Sequence, residues 1–265
     1  MPSILAQIFD HKRAENALRR QERPLESVAA QARQAPPPVN FVAALQAAKS
    51  ARCSSALIAE IKRASPSRGP LAPQLDPLRL AQVYYTNGAA AISVLTDERF
   101  FQGSLQDLAC IRQSMEGVPL LRKDFICDPY QVYEARAAGA DALLLIVAGL
   151  GMEDLYELHS LTLMLGMTPL VEVHSFDELQ RALECQPILV GINNRDLRDF
   201  SVSLQPSLQL RPYLPLEVCV VAESGIHTPE DVACLRQAGM DAILVGEALV
   251  TAKDTAAKVR SLASC

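Results

Sequence analysis

Short apolar runs alternate with helix-like patterns along most of the chain, from Ala56 to the last residues. Each run is almost continuously hydrophobic, which is typical of strands buried on both faces, whereas the segments between the runs repeat apolar residues at helical spacing. The pattern predicts eight strands, at residues 56–62, 90–96, 119–125, 141–147, 168–173, 188–193, 217–224 and 241–246. Strands that alternate with helices in this way indicate a parallel sheet covered by helices on its outer face.

A weak internal repeat marks three junctions between a predicted helix and the strand that follows it. The segments NGAAAISV, AGADALLL and AGMDAILV share one plan, in which Gly88, Gly139 or Gly239 stands where the helix should end in a left-handed residue. Eight βα units fill the length of a (β/α)8 TIM barrel, about 250 residues. An open doubly wound sheet is the alternative, but that class usually carries a glycine-rich or Walker loop after an early strand, and this sequence has neither.

The first part of the chain predicts a helical extension that precedes the barrel. Residues 1–34 form a charged, loosely amphipathic segment. Its apolar side consists of Ile4, Leu5, Ile8 and Leu18. Its basic residues are interleaved with acids and predict a solvated helix face, made of Lys12, Arg13, Arg19, Arg20 and Arg23.

A proline-rich stretch separates this segment from the rest of the chain. The run APPP at residues 35–38 must end the helix, because proline lacks the amide donor and clashes with the preceding turn. Asn40 is a suitable N-cap for the short helix that follows. We therefore expect an N-terminal helical extension over residues 1–48 and a (β/α)8 catalytic barrel over residues 49–265, in a single domain overall.

Ionisable residues stand at the carboxyl ends of the otherwise apolar strands, where catalytic groups collect in a β/α barrel. Because side chains alternate along a strand, Glu60 and Lys62 should point into the same barrel mouth, and so should Asn193 and Arg195. The mouth should then hold three cations and three carboxylates, namely Lys62, Lys123, Arg195, Glu60, Glu172 and Glu223. Structural ion pairs could explain any one of them. Six such charges together would be costly to bury, and they favour a polyanionic ligand with proton transfer.

Turn residues after three of the strands predict a phosphate site. They are Ser65 and Pro66 after the first strand, Ser224 and Gly225 after the seventh, and Gly246 and Glu247 after the eighth. Loops after strands seven and eight, with the N-terminus of a short extra helix, form the recurring phosphate cradle of these barrels. A single Ser-Gly pair is usually only a turn, so the prediction depends on the joint placement.

Four other polar residues lie near strand ends. His174 and His227 lie just beyond strand ends and either could touch the site, but neither has a visible partner in the sequence, so neither is assigned a direct role. Arg122 and Asp124 have the opposite parity to Lys123, which predicts an ion pair outside the mouth.

Composition excludes several classes of protein. Of 265 residues, 49% are hydrophobic, which is enough for a sizeable core, and the formal net charge of −5 gives no general attraction for nucleic acid. No apolar run is long enough to cross a membrane, and the charges among the first residues do not fit a signal peptide. These features predict a cytoplasmic protein with no nucleic-acid or membrane partner. The seven scattered cysteines form no metal-ligand motif, so we expect reduced thiols and no metal.

Six segments, in order along the chain, resemble the signature blocks of indole-3-glycerol phosphate synthases. They are ILAQIFDHKRAE near the N-terminus, IAEIKRASPSRG (58–69), LLRKDFICDPYQVYEARAAGADALLLI (120–146), LVEVH (170–174), GINNRDL (191–197) and VAESGI (221–226). The resemblance covers nearly the whole chain and implies a TIM-barrel enzyme of tryptophan biosynthesis. The length leaves no room for a second fused barrel, which implies a monofunctional version.

The resemblance also implies which residues are catalytic. They are Lys123, Glu172, Lys62, Glu60, Glu223 and Asn193. By this comparison Lys123 is the main general acid and Glu172 is its carboxylate partner. Lys62 and Glu60 form a second acid/base pair, and the last two residues position groups near the sugar hydroxyls.

Ten further residues are implied to bind the substrate. They are Ser65, Pro66, Phe101, Phe125, Arg195, Leu197, Ser224, Gly225, Gly246 and Glu247. Ser65 and the last three would hold the phosphate, while Phe101, Phe125 and Leu197 would line a pocket for the anthranilate ring. Many members of the family carry Ser where this chain has Glu247. A carboxylate there is compatible with phosphate only if its side chain points away and the backbone N–H donates.

The implied reaction is that of a carboxy-lyase without a cofactor. The phosphorylated small-molecule substrate, 1-(2-carboxyphenylamino)-1-deoxyribulose 5-phosphate, closes its ring, loses carbon dioxide and then water, and gives indole-3-glycerol phosphate. We expect the enzyme to act as a monomer, with a weak homodimer as the alternative. Two other functions stay open at this point: another phosphate-binding barrel enzyme, such as a phosphoribosylanthranilate isomerase, and a non-catalytic barrel scaffold.

Overall fold

Helices make up the N-terminal part of the molecule and the outer layer of the rest. The computed structural model describes residues 4–52, 54–196 and 200–264. Within these residues the α-helices are α1 (Ile4–Glu22), α2 (Leu25–Gln34), α3 (Phe41–Arg52), α4 (Pro77–Thr86), α5 (Glu98–Phe101), α6 (Leu105–Ser114), α7 (Pro129–Ala137), α8 (Met152–Met164), α9 (Phe176–Glu184), α10 (Gln205–Leu210), α11 (Pro229–Gln237), α12 (Glu247–Val250) and α13 (Thr255–Ala263). Short 3₁₀ turns cover Val147–Gly149 and Arg211–Tyr213. None of these helices is long and apolar enough to cross a bilayer.

Eight parallel strands close into a barrel. The strands in the described residues are β1 (Ala56–Ile61), β2 (Ala64–Ser65), β3 (Gly69–Pro70), β4 (Ala91–Leu95), β5 (Leu120–Lys123), β6 (Ala142–Ile146), β7 (Thr168–Val173), β8 (Leu189–Asn193), β9 (Cys219–Glu223) and β10 (Ala242–Val245). The barrel order is β1-β10-β9-β8-β7-β6-β5-β4, and β2 and β3 form a small antiparallel pair in the loop after β1. The predicted (β/α)8 TIM barrel is therefore confirmed, with each predicted strand shortened by at most a few residues.

The barrel strands are apolar because helices cover one face and facing strands cover the other. Every residue of β4, β6 and β10 is buried. On the strands beside them, the charged side chains stand at or near the carboxyl ends. Lys123, Asn193 and Glu223 are the last residues of β5, β8 and β9. The predicted polar residues therefore lie together at one end of the barrel.

The internal repeat in the sequence corresponds to a repeated contact at the opposite end. Gly139 and Gly239 have positive φ angles of 90° and 89°, as expected for residues that end a helix. The carbonyl of each accepts a hydrogen bond from an arginine Nε, that of Arg112 at 2.9 Å or that of Arg211 at 2.8 Å. These repeated contacts stabilise the fold at this end of the barrel, and the opposite end remains for chemistry.

The N-terminal extension is anchored to the barrel, and one sequence prediction for it is wrong. Leu5, Ile8 and Phe9 of α1 are buried, but Leu18, which was expected on the apolar side, is 61% exposed. The buried stripe continues through polar residues instead, ending at Asn16, whose amide donates to Gln131 Oε1 of α7 at 2.9 Å. The helix α3 spans residues 48 and 49, and the division of the chain there stays a prediction.

The basic residues of α1 do not form one solvated face. Lys12 is 1% exposed, and its Nζ lies 2.9 Å from Asp97 Oδ2 and 3.0 Å from Asp124 Oδ1. Arg19 pairs with Glu134 of α7 at 3.2 Å. Arg13 remains largely exposed, as predicted. The prediction failed for Lys12 because hydropathy periodicity assigns every lysine to the surface, whereas two strand-end carboxylates neutralise this one.

Candidate active site

A cavity of about 460 Å³ opens at the carboxyl ends of the barrel strands. Fifteen of the sixteen residues predicted for the site line it, namely Glu60, Lys62, Ser65, Pro66, Phe101, Lys123, Phe125, Glu172, Asn193, Arg195, Glu223, Ser224, Gly225, Gly246 and Glu247. The sixteenth, Leu197, lies outside the described residues. Ile4, Leu5 and Ile8 of α1 also line the cavity, so the extension covers part of its opening.

Lys123 lies between two carboxylates at the centre of this cavity. Its Nζ is 2.8 Å from Glu223 Oε2 and 3.2 Å from Glu172 Oε2. The three residues come from β5, β7 and β9, which are alternate strands of the barrel, and alternate strands contribute the side chains of one layer. Both carboxylates are almost fully buried. The ammonium group of Lys123 is therefore held between two buried carboxyl groups.

The two carboxylates differ in their surroundings and so in their affinity for a proton. Burial raises the pKa of Glu223 to about 7, and the neighbouring Glu172 adds to this effect against the attraction of Lys123. For Glu172 burial also opposes ionisation, but Lys123, His174 and a hydrogen bond from Asn193 outweigh it and lower its pKa. Glu223 Oε1 has no hydrogen-bond partner among the residues that the structure describes, consistent with a carboxyl that can hold a proton. Near neutral pH the cluster can therefore contain one carboxylate and one carboxyl that exchanges its proton.

A second pair of opposite charges lies at the carboxyl end of β1. The Nζ of Lys62 is 2.6 Å from Glu60 Oε2, and the Glu60 side chain is buried. Gly246 follows β10, the neighbouring strand, and a methyl group on it would overlap the Glu60 carboxylate. Gly191 leaves room for Glu223 in the same way. These two glycines are therefore needed for the close approach of carboxylates, rather than for a special backbone conformation.

The predicted phosphate residues surround one side of the cavity. Ser224 and Gly225 have positive φ angles of 66° and 75°, which turn the chain sharply after β9. The helix α12 begins directly after Gly246, and no side chain caps its N-terminus. Backbone N–H groups at such an N-terminus favour an anion. Ser65, on β2, lies on the same cavity wall.

The side chain of Glu247 is paired with arginines. Its Oε1 accepts hydrogen bonds from Arg68 Nε at 2.9 Å and Nη2 at 2.7 Å, and its Oε2 lies 3.9 Å from Arg195 Nη2. Burial opposes ionisation of this carboxyl, but Arg68, Lys62 and Arg195 lower its pKa. The sequence did not predict Arg68 in the site, although it stands in the motif SPSRG beside Ser65 and Pro66.

Aromatic side chains form the apolar wall of the cavity. The rings of Phe101 and Phe125 are 5.8 Å apart, and Phe9 of α1 meets Phe125 edge-on at 5.9 Å. Asp97 accepts hydrogen bonds from the backbone of α5 at Phe100 (2.6 Å) and Phe101 (3.2 Å), and so holds this helix in place. Phe9 was missed in the sequence, although it follows the apolar Ile8.

The remaining polar residues near strand ends have different outcomes. Arg122 and Asp124 form the predicted ion pair, because Arg122 Nη2 lies 3.0 Å from Asp124 Oδ2 and both side chains are buried, but Asp124 also lines the cavity, which the prediction had placed outside the mouth. His227 lines the cavity, an outcome that the sequence left open. His174 lies 3.4 Å from Glu172, so it does have a partner, which alternation along β7 could not reveal.

Comparisons with known proteins agree on one family. The family model described as indole-3-glycerol phosphate synthase matches residues 5–262. A relative of that name from Roseiflexus sp. (strain RS-1) is 54% identical over 269 residues, covering 99% of this chain and 98% of the relative. Another from Chloroherpeton thalassium is 48% identical over 255 residues, 96% of this chain and 97% of the relative.

Two solved structures that are similar in fold have low sequence identity to this chain. The crystal structure of 3-hexulose-6-phosphate synthase from Salmonella typhimurium has a TM-score of 0.65 at 12% identity, covering 78% of this chain and 96% of the other. The crystal structure titled KGPDC from Streptococcus mutans has a TM-score of 0.62 at 11% identity, covering 79% and 95%. At these identities the likeness supports the barrel fold alone.

Proposed function

Because the chain belongs to the indole-3-glycerol phosphate synthase family, we propose that the cavity at the carboxyl ends of its barrel strands is where an indole ring is closed. The substrate is 1-(2-carboxyphenylamino)-1-deoxyribulose 5-phosphate. Its ring carbon forms a bond to the sugar ketone carbon, carbon dioxide leaves with its bonding electrons returning to the ring, and water is then lost. The enzyme is thus a carboxy-lyase. No electron is gained or lost overall, so the reaction itself requires no redox cofactor.

The position of Lys123 between Glu172 and Glu223 is the observation that carries this proposal. Lys123 donates a proton to the ketone oxygen as the new bond forms, and Glu172 keeps its ammonium group directed at that oxygen. Burial lowers the pKa of Lys123, but its two neighbouring carboxylates outweigh burial and raise it. With both carboxylates ionised, Lys123 would therefore be a weak acid. A proton on Glu223 removes one of these anions. Protonation of Glu223 therefore makes Lys123 a better acid where the ketone must be protonated.

Lys62 and Glu60 form the second working pair. The cation of Lys62 holds the substrate carboxylate until carbon dioxide leaves, and Glu60 accepts the proton from the ring N–H. Their 2.6 Å contact supports this division, because it places a carboxylate and an ammonium group side by side on the cavity wall. Asn193, whose amide bonds Glu172, directs the sugar hydroxyls together with Glu223.

The phosphate is held opposite the aromatic pocket. Backbone N–H groups at Gly225, Gly246 and Glu247 donate to it, together with Ser65 and the Ser224 turn. The Glu247 side chain stays with Arg68 and Arg195, which prevents repulsion between its carboxylate and the phosphate. Pro66, Phe101 and Phe125 enclose the anthranilate ring, and Leu197 is assigned to the same wall.

Neither alternative function is favoured by the site. A phosphoribosylanthranilate isomerase is expected to use an acid Asp and a base Cys at strand ends, whereas β1 has Glu60 as the residue before its last and is followed by Lys62. A scaffold has no need for six ionisable residues around one cavity, yet all six line it. The described cavity wall comes from one chain, which supports the proposal that the enzyme acts as a monomer. Its proposed location is the cytoplasm.

The direct test is turnover of the synthetic substrate. Purified protein should convert the anthranilate–ribulose phosphate to a product with indole absorbance, with release of one carbon dioxide for each indole formed. A substrate without the phosphate should show a much higher KM because the cradle is then empty. Absence of indole with the intact substrate, from folded protein, would reject the proposed function.

A further inference from the structure

His174 connects the reacting cluster to the helix that follows β7. It stands directly after Val173, the last residue of β7, and its side chain is largely buried. Its Nε2 lies 3.4 Å from Glu172 Oε1, an ion-pair contact whose geometry falls short of a hydrogen bond. On the other side, Nδ1 lies 3.2 Å from Glu178 Oε2, and the His174 backbone N–H donates to the same oxygen at 2.7 Å. The imidazole is therefore clamped between two carboxylates.

Both ring nitrogens of His174 face a carboxylate oxygen, so these contacts are most favourable when both nitrogens carry a proton. An imidazolium donates from both nitrogens, whereas a neutral ring would place a lone pair against one of the anions. Burial opposes the charged ring, but the hydrogen bond and charge of Glu178 with the charges of Glu172 and Glu223 raise the pKa of His174. The groups that face it come from three elements: Glu172 on β7, Glu178 on α9 and Glu223 on β9.

Glu172 thus has a cation on each of its oxygens, and Glu223 does not. Oε2 of Glu172 contacts Lys123 and Oε1 faces His174, while Asn193 adds a hydrogen bond. Glu223 has Lys123 on Oε2, and its Oε1 has no hydrogen-bond partner. Two carboxylates that share one cation compete for one proton, and the environment decides which of them holds it.

We infer that His174 is a positioning residue that keeps Glu172 ionised and directed at Lys123, so that the mobile proton of the cluster resides on Glu223. The inference rests on the proposed function, which makes Glu172 the partner of Lys123. His174 itself does not touch the reacting atoms. Its contribution is to fix which carboxylate stays an anion and where that anion points.

Two substitutions separate the two halves of the clamp. His174→Asn keeps an amide N–H near the position of Nδ1, toward Glu178, and loses the contact with Glu172. His174→Gln keeps an amide N–H near the position of Nε2, toward Glu172, and loses the contact with Glu178. Both variants lack the positive charge, so a comparison distinguishes the effect of orientation from the effect of charge.

The expected results follow from the charge next to Glu172. An opposite charge within about 4–6 Å lowers a carboxyl pKa by about 1–3 units, so both variants should move the acid limb of kcat/KM about one unit or more to higher pH. His174→Asn should also lower kcat by roughly 10- to 100-fold, because Glu172 is no longer held in position. His174→Gln should retain more of kcat at a pH above the shifted limb. KM should change little in either variant, because His174 contacts no substrate.

A matched control is Glu178→Gln, which keeps an acceptor for His174 but removes one of the charges that favour the imidazolium. It should shift the acid limb in the same direction by less than His174→Asn does. Thermal unfolding of each variant is measured in parallel. If His174→Asn loses kcat but its pH profile does not move, His174 is only structural and the inference is overturned. The inference is also overturned if His174→Asn keeps both the kcat and the pH profile of the wild type. Wild-type protein that makes no indole would instead reject the proposed function.

Discussion

At the scale of single residues, Lys123 is the side chain whose loss should affect chemistry more than binding. In the proposed reaction its proton is needed only as the ring closes, so its contribution should belong to the transition state. Lys123→Met keeps the aliphatic stem and should lower kcat by about 10²–10⁴-fold, the usual contribution of general acid catalysis. The measurement is kcat by indole absorbance.

Lys62→Met is the comparison for this variant. If Lys62 holds the substrate carboxylate, its loss should raise KM as well as lower kcat. A reduced substrate analogue, with an alcohol in place of the ketone, should bind to Lys123→Met within a modest factor of wild type by calorimetry. Turnover of Lys123→Met near the wild-type rate would move the role of acid to Lys62.

Gly246 allows a second prediction for a single residue. Its φ angle is −122°, so alanine meets no backbone strain, but the added methyl group would overlap the Glu60 carboxylate. Gly246→Ala should therefore displace Glu60 from Lys62, lowering kcat about 10-fold or more by misplacing the pair, and it should also raise KM for phosphate-bearing substrate. Gly151→Ala is a control, because Gly151 has a φ angle of −68° and a methyl group there would make only an ordinary contact, 3.6 Å from Asp154 Oδ2. Unchanged kcat and KM in Gly246→Ala would show that the pair tolerates the shift.

At the scale of elements, Lys12 ties α1 to two loops of the barrel. Asp97 caps the helix that carries Phe101, and Asp124 follows Lys123. Burial opposes the charge of Lys12, but Asp124, Asp97 and Glu15 outweigh it and raise the pKa of Lys12. Lys12 is therefore a cation at any pH of interest. Because α1 also supplies Ile4, Leu5 and Ile8 to the cavity, this helix is part of the site rather than an appendage.

Lys12→Met should therefore destabilise the fold and weaken substrate binding together. Removing one partner of a buried ion pair costs about 3–5 kcal/mol, because the other charge is left buried alone. The free energy of unfolding should fall by this order, and KM should rise because the aromatic wall loosens. Arg13→Met, at a 56% exposed position on the same helix, should change neither.

The double variant Lys12→Met/Asp97→Asn checks the cause. If the penalty comes from Asp97 left without its cation, neutralising it should recover part of the lost unfolding free energy, so that the two effects are not additive. Additive effects in urea unfolding would mean that Lys12 stabilises the helix by packing alone.

At the scale of the whole molecule, Glu223 couples the site to the stability of the fold. Its pKa is raised from the ordinary value of a glutamate to about 7. Between these values the folded protein holds a proton that the unfolded chain has released, so stability falls as pH rises through this range, and the loss is complete above pH 7. Ionised Glu223 therefore destabilises the fold.

Glu223→Gln should remove this cost. At pH 5 its melting temperature should be close to wild type, since Glu223 is then protonated. At pH 8 it should exceed wild type by roughly 3 °C or more, because 1 kcal/mol corresponds to about 2–4 °C in a domain of this size. Its kcat should fall while its stability rises. A difference in melting temperature that does not grow between pH 5 and pH 8 would contradict the assignment of the raised pKa to Glu223.

The sequence by itself determined the barrel and the place of the site. Local sequence is enough to assign apolar runs to strands and the segments between them to helices, because buried strands and amphipathic helices differ in the period of their hydrophobic residues. Alternation along each strand also predicted that Glu60, Lys123 and Glu223 would meet in one mouth, since parallel strands bring their carboxyl ends to the same edge. The prediction for Leu18, near the end of α1, was wrong because it too used local information alone. The residue was assigned to the buried side for being apolar, without knowledge of what lay opposite it.

Tertiary structure decided which charges are buried, which are paired and which carry a proton. Lys12 is buried only because Asp97 and Asp124, far away in sequence, converge on it. Glu172 and Glu223 look alike at their strand ends, yet His174 and the unpaired oxygen of Glu223 give them different proton affinities. The free energy of a buried charge depends on groups within a few ångströms of it in space. Periodicity along the chain carries no information about those neighbours, so only the folded arrangement could supply it.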